Sequence, residues 1–377
     1  MRLSARRLNR ATLARQLLLR REARPVADAV RRVVALQAQE PASPYVALWN
    51  RLADFQPADL DAAFARTAVV KATLMRITLH AVHADDYTTF HEAMLRNLRA
   101  SRLNDRRFTS TGLSIADADA LLPHLVAFAT EPRTKRDIEA MLAEHLGAPP
   151  ERGVWWALRT FAPLLHAPTG KPWSFGREPT FVAAPAAPPR PTPAEALRGL
   201  IRRYLEGFGP ASAEDVAQFA MQRRTVVREA MQAMADELVV HEGPDGKPLH
   251  DLPDAPLPDE DTPAPPRLLG MWDSILLAYA DRGRVLPDEY RQTVLRRNGD
   301  VLPTVLVDGH VRGVWRPVDD GIEVLPFHRL PDDAWEALTA EARGLLTLFA
   351  DRDPQAYARY GHWWSKLPAA GTRVIGR

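Results

Sequence analysis

The chain has 377 residues, 46% apolar and 25% charged, with no cysteine and a formal net charge of +2. This composition is that of a soluble globular protein of two or three domains. It excludes disulfides, thiolate metal ligands and a cysteine nucleophile. No apolar run reaches membrane-spanning length and no signal-peptide core follows the basic N-terminus, so a cytoplasmic protein is expected.

The small net charge conceals segregation. Arginines crowd the first 35 residues, among them Arg6, Arg7 and Arg10. A second cluster is Arg96, Arg99, Arg102, Arg106 and Arg107, and a third runs from Arg202 to Arg228. Acids gather between Asp251 and Asp261. Such segregation makes basic faces on a nearly neutral protein, although any one cluster alone reads equally as a solvated helix face.

In chain order, Asn9 or Thr12 is a candidate cap for a first helix carrying Leu13, Leu17 and Leu18. Pro25 suits the first turn of a second, basic helix, which reads on through Leu36-Gln37-Ala38-Gln39-Glu40 until Pro41 stops it. A third helix follows Pro57. Val69 to Val82 is rich in β-branched residues and reads as strand. Three helices and then a hairpin is the order of a winged helix-turn-helix. The order is expected again: Asp85 and Asp86 suit a helix cap, Ser114 and Asp117 open a helix to Phe128, Thr134 caps the next, and Val154 to Leu165 is a third. Trp173-Ser174-Phe175 and Pro179 to Val182 are its expected wing. After a proline-rich linker, Ala183 to Pro193, come helices at Ala194 to Leu205, from Ser212, and at Arg223 to Met234. A hairpin then folds around Gly243-Pro244-Asp245-Gly246. Beyond a second proline-rich stretch, Val301 to Val307, Val311 to Trp315 and Ile322 to Leu325 read as strands, with Asp308-Gly309 a strong hairpin turn. A helix, Asp332 to Phe349, and an aromatic tail end the chain.

No Gly-rich phosphate loop, nucleophile elbow or metal-ligand histidine spacing occurs. On spacing alone, Gln37 and Gln39 are two polar residues at a helix end. If the helix unwinds there, both carboxamides can turn to one side and hold a water beside a basic surface. In a strand, Arg76, Thr78 and His80 share one face, either lining a groove or facing solvent. Trp272, Leu276 and Tyr279 read as core, and Asp273, Asp281 and Arg282 as an ion-pair set.

Taken together, Leu36-Gln37-Ala38-Gln39, Arg76-x-Thr78-Leu79-His80, Gly209-Pro210-Ala211 and Trp272-Asp273 through Asp281-Arg282 resemble the tandem winged-helix DNA glycosylases typified by AlkZ and YcaQ. The resemblance runs in order over nearly the whole chain. It implies an α+β fold, mainly α with β hairpins. Three winged-helix motifs (1–84, 85–182, 183–262) and a C-terminal β-barrel-like domain with closing helices (263–377) would form a C-shaped channel for duplex DNA. It implies excision of N7-alkylated purines, including bulky or crosslinked lesions. In the AlkZ branch the catalytic motif is Gln-aliphatic-Gln, whereas the YcaQ branch has Asp at the second position. Gln39 sets the chain with the AlkZ branch, which is associated with self-protection of bacteria that make DNA-alkylating antibiotics. Ala38 is a small occupant of the aliphatic position.

Gln37 and Gln39 are then the expected catalytic residues. Arg6, Arg7, Arg10, Arg76, Thr78, His80, Arg96, Arg99, Arg102 and Arg312 are the candidate DNA contacts. The expected partner is double-stranded DNA bearing N7-alkylpurine lesions, bound by a nucleoid-associated monomer without cofactor or metal. No lysine is close in sequence to the motif, which favours a monofunctional hydrolase. The rival readings are a non-enzymatic winged-helix DNA binder (a regulator or adduct binder) and a protein-interaction module.

Overall fold

The computed structural model describes residues 1–170, 172–176, 178–186, 189–367 and 371–376. It opens with α1 (Ala5–Arg15), capped by Ser4. Asn9 and Thr12 are not caps but buried residues inside α1. Asn9 donates to the Arg284 and Gly309 carbonyls at 2.9 and 2.8 Å, and Thr12 meets the Tyr279 hydroxyl at 2.8 Å. After α2 (Val26–Arg32), Val34 takes a left-handed φ of 74°, through which no helix continues. Leu36–Gln37 is therefore a strand, β1, and not a helix end at Pro41.

Helices α3 (Ser43–Trp49) and α4 (Pro57–Ala65) precede β2 (Val69–Thr73) and β3 (Leu79–His83). The expected single strand from Val69 to Val82 is broken between them. Arg76 and Ile77 have positive φ values of 55° and 56° inside a tight 3-10 turn, Met75–Ile77. Then come α5 (Ala84–Leu103), α6 (Arg106–Thr109), α7 (Ile115–Phe128), β4 (Arg133–Thr134), α8 (Lys135–Leu146), α9 (Arg152–Phe161), β5 (Leu164–Ala167) and β6 (Thr180–Ala183). The His83 side chain caps α5, while Asp85 and Asp86 sit in its first turn. Ser114 and Asp117 form the capping box of α7, and Thr134 with Asp137 forms that of α8. Trp173 and Phe175 form no strand. They are buried in a turn, edge-on to Tyr45 and Phe64 with ring centroids 5.1 and 4.8 Å apart, so their apolar area goes into the core.

The next segment is α10 (Pro193–Phe208), α11 (Ala213–Ala220), α12 (Arg224–Gln232), β7 (Val239–Glu242) and β8 (Pro248–Asp251). The last is β9 (Arg267–Leu269), α13 (Asp288–Val294), β10 (Thr304–Val307), β11 (His310–Val318), β12 (Gly321–Pro326), α14 (Asp332–Ala350), a 3-10 stretch Ala358–Lys366 and β13 (Arg373–Ile375). Asp308 and Gly309 both take positive φ, 48° and 78°, as a two-residue hairpin requires.

Two larger sheets organise these pieces. One has the order β1-β3-β2-β5-β6-β4, in which the two hairpins join edge to edge through Lys71 and His166. The other, β13-β12-β11-β10-β9, is an open antiparallel sheet and not the expected barrel. Its edge strands β9 and β13 are three residues long and do not pair with each other, and α14 packs against it. Leu13, Leu36, Tyr45 and Phe64 share a core with this C-terminal sheet, while Val34, Val70 and Leu74 belong to a second core with α5, α9, α10 and α11.

Buried ion pairs tie the chain together. Arg15 grips Asp251 with two contacts of 2.7 Å, and Arg51 grips Asp273 at 2.8 and 2.9 Å. Asp273 thus pairs with Arg51, and not within an Asp281–Arg282 set; Asp281 instead accepts from the Gly283 N–H at 2.9 Å. Gly209 is explained by the first pair: a Cβ there would lie 2.5 Å from an Arg15 nitrogen and 2.6 Å from an Asp251 oxygen.

Candidate functional site

The Gln37 strand is held from both sides. Gln37 lies opposite His80 of β3, and the Ala38 N–H donates to the Leu79 carbonyl at 2.7 Å. Behind it, the Ser274 hydroxyl donates to the Ala35 carbonyl at 2.7 Å. Ser274 is fixed in turn by its neighbour Asp273, whose carboxylate accepts the Ile275 N–H at 3.2 Å and the Arg51 guanidinium. The Trp-Asp segment is therefore a brace for the Gln37 strand. Trp272, Leu276 and Tyr279 are buried around it, as expected.

Gln37 is only 5% exposed, whereas Gln39 is exposed. An Arg76 Nη2–H donates to the Gln37 Oε1 at 2.7 Å, and the same Nη2 lies 3.4 Å from the His80 Nε2. His80 Nδ1 sits 3.1 Å from the Thr78 carbonyl. Gln37, Arg76 and His80 thus meet, but not by strand alternation: the 3-10 turn swings Arg76 back over the strand. Thr78 contributes its carbonyl, while its hydroxyl donates to Met75 at 3.0 Å. Burial, the neighbouring Arg282 and a weaker opposing field from Tyr204 leave the Arg76 pKa at about 10, still a cation at neutral pH. Burial and the Arg76 charge push His80 down to about 3, so its imidazole is neutral.

Residues facing each other across strands share a sheet face. Gln37, His80 and Ala72 form one row, while Leu36, Ala81, Lys71 and His166 form a row on the opposite face. Lys71, invisible as a neighbour in the sequence, is buried there with its Nζ 4.3 Å above the Phe175 ring. Burial, opposed by Glu40, lowers it to about 8. Glu40, the carboxylate beside Gln39, is engaged by the tail: it pairs with Arg359 and accepts from the Tyr360 hydroxyl at 3.3 Å. Burial raises its pKa, against Arg359. A crevice lined by Leu36, Gln37, Ser43 and Gly270 to Ser274 leaves no room for a purine. A cavity of about 1130 Å³ lies between α11, α12 and the β7–β8 hairpin, and neither Gln37 nor Gln39 lines it.

The basic residues divide in two. The N-terminal set faces the acidic, proline-rich segment. Arg6 and Arg10 both bind Asp308, Arg10 also donates to the Thr262 carbonyl at 2.6 Å, and Arg7 lies 3.7 Å from Asp259. Arg10 is fully buried and has no face left for a phosphate. The Asp308–Gly309 hairpin tip is docked on α1 by these contacts and by Asn9. Arg312, on β11 behind it, is half-buried near Tyr290 and His328.

The second set is open. Arg96 is exposed, and Arg99 pairs with Asp119 at 2.6 Å. Arg102 and Arg107 lie over the Trp156 ring at 4.3 and 4.1 Å. Below its N-terminal Arg152, the only α9 positions that are not buried are Trp156 and Arg159, which with Arg152 make an outward stripe. Burial chiefly, with repulsion from Arg107 and Arg159, lowers the Arg102 pKa. Trp156, Arg152 and Arg159 were legible in principle from their i, i+4, i+7 spacing on one helix face.

Among the described residues no cluster of three or more metal-ligating side chains occurs, and no helix is long and apolar enough to cross a membrane. A family model for AlkZ-like DNA glycosylases matches residues 30–348. An interstrand DNA cross-link repair glycosylase of Streptomyces sahachiroi is 34% identical over 172 residues, which is 42% of this chain. The match spans about half, 46%, of that curated relative. The solved structure of Streptomyces sahachiroi DNA glycosylase AlkZ superposes with a TM-score of 0.79 at 24% identity, covering 93% of this chain and 98% of that one; the likeness is one of fold.

Proposed function

The chain belongs to the AlkZ-like DNA glycosylase family, and from that membership we propose that it hydrolyses the N-glycosidic bond of N7-alkylated purines in duplex DNA, with Gln37 and Gln39 as catalytic residues. The observation that carries this reading is the placement of the Gln-Ala-Gln motif. Gln37 is fixed by Arg76 beside His80, and Gln39 opens to solvent next to it.

The chemistry suits uncharged amides. An N7-alkylpurine is already cationic. When the C1′–N9 bond breaks, its electron pair returns to the ring and the base leaves neutral, so no acid is needed. Water adds to C1′ of the oxocarbenium-like sugar and loses a proton to solvent, leaving an abasic site. A carboxamide can orient that water but cannot act as a strong base. Lys71 is turned to the face opposite Gln37, which supports a monofunctional hydrolase over a Schiff-base lyase.

The substrates would be crosslinks, in DNA repair, in line with the name of the interstrand DNA cross-link repair glycosylase it resembles, or bulky natural-product adducts met in antibiotic self-resistance. We read the lesion as handled in an open channel and not in a closed base pocket. We read segments 1–84, 85–182 and 183–262 as three winged helices, each carrying helices before a hairpin, that with segment 263–377 line a C-shaped channel. The protein would act as a monomer on nucleoid DNA in the cytoplasm. The Arg102–Trp156–Arg107 stack and Arg96 are accessible phosphate contacts, unlike the N-terminal arginines held by Asp308.

The test is release of free base from duplex oligonucleotides carrying 7-methylguanine or a bulky N7 adduct. Wild type should release the modified base, and Gln37→Ala and Gln39→Ala should each release it far more slowly. Salt-sensitive binding without release would instead mark a non-enzymatic adduct binder.

A further inference from the structure

We propose that the two glutamines divide the work: Gln37 serves as the hydrogen-bond donor, because Arg76, with His80 behind it, holds its carbonyl oxygen inward, while Gln39 supplies the acceptor for the attacking water. Arg76 and His80 are then positioning residues and not DNA contacts. The inference rests on the hydrolase reading above.

The argument follows from which atoms can donate. Arginine has no acceptor, so the atom it meets at 2.7 Å on Gln37 is oxygen and not the amide nitrogen. That assigns the carboxamide orientation, which would otherwise be free to flip. The Thr78 carbonyl can only accept, so His80 Nδ1 carries the proton, and its Nε2 offers a lone pair toward Arg76. The neutral imidazole thereby holds a second donor of the same guanidinium. The row runs from the Thr78 carbonyl through His80 and Arg76 to Gln37, with Arg76 donating in both directions.

Arg76 engages one lone pair of the Gln37 oxygen and turns it inward on a side chain only 5% exposed, so the NH2 group, which no acceptor among the described residues meets, is the end left to present. An NH2 group can hold a phosphate or sugar oxygen, or the lone pair of water, but cannot accept a hydrogen bond from that water. Gln39 is exposed and has no hydrogen-bond partner among the described residues, so its carbonyl is free for that part.

Glutamate substitution separates the roles, since it keeps acceptors and removes donors. Gln37→Glu retains a partner for Arg76, so its melting curve should match wild type. Its single-turnover release of 7-methylguanine should fall about 100-fold, the loss typical of one transition-state donor. Gln39→Glu should stay within about 10-fold of wild type. Arg76→Met should slow release about 10-fold with duplex affinity and salt slope unchanged, and Arg76→Lys, which still donates, should recover part of the rate.

Two results overturn the assignment: Gln37→Glu as active as wild type, or Arg76→Met weakening DNA binding and lowering the salt slope by about one at an unchanged rate, which is a phosphate contact. A second readout needs no catalysis. The Gln37 side-chain amide resonance, identified by its loss in Gln37→Glu, should move in Arg76→Met, and its staying put would refute the hold. Wild type releasing no base is a separate result, seen before any variant, and overturns the hydrolase reading itself.

Discussion

Asp273→Ala breaks one half of the pair that braces the Gln37 strand. The Asp273 and Arg51 side chains are 1% and 0% exposed, and their two contacts are 2.8 and 2.9 Å. Without the carboxylate, the guanidinium keeps only the Ala47 carbonyl at 2.9 Å and remains cut off from water. Removing one partner of such a buried pair costs roughly 3–5 kcal/mol, whereas replacing both by apolar groups is close to neutral. At roughly 2–4 °C per kcal/mol for a large domain, the melting temperature should drop by roughly 6–20 °C. Urea titrations followed by circular dichroism on Asp273→Ala, and on the double variant Arg51→Met with Asp273→Leu, test this. The double variant should recover most of the loss in stability, though not necessarily in base release, because Asp273 also accepts the Ile275 N–H beside Ser274. The reasoning fails if the single variant loses less than about 1 kcal/mol, or if the double variant is no more stable than the single.

Acid should destabilise the fold through its buried histidines. Buried His80 and His91 have folded pKa values of about 3 and about 4, both lowered chiefly by burial. Because the unfolded chain takes up protons first, stability is full above pH 6.5 and lost below it, by about 2 kcal/mol per imidazole between pH 6.5 and 5. A urea midpoint equal at pH 7 and pH 5 would contradict this. Gly209→Ala should cost roughly 1–3 kcal/mol, because its Cβ would press on the Arg15–Asp251 pair; a wild-type melting curve would show that the pair can move aside. Arg102→Ala with Arg107→Ala should reduce the slope of log affinity against log salt by about 0.9 for each phosphate no longer neutralised, measured by fluorescence anisotropy. Arg10→Met, by contrast, should lower stability and leave that slope alone, since Arg10 is buried on Asp308.

Local patterns were legible wherever the physics is local. The Ser114–Asp117 capping box, the Asp308–Gly309 turn, the hairpin around Gly243 to Gly246 and the terminal helix Asp332–Ala350 each follow from side chains within a few residues of one another. The Gln-Ala-Gln and Arg-x-Thr-Leu-His motifs were also visible as candidates. Their geometry was not: the left-handed Val34 and Arg76 turn a supposed helix end into a strand and a supposed strand into a turn.

Long-range pairing lay further out of reach. Nothing near Arg10 announces Asp308, nothing near Arg51 announces Asp273, and nothing in the Asp251–Asp261 run says that it would neutralise α1. Nor does any strand's own sequence say whether its edge will close a barrel or stay open, as β9 and β13 do. Charge sign and hydrophobic period are properties of a residue and its neighbours in the chain, so they can be read directly. Which arginines are left facing solvent depends on which carboxylates fold against them across hundreds of residues, and only the packed molecule settles that.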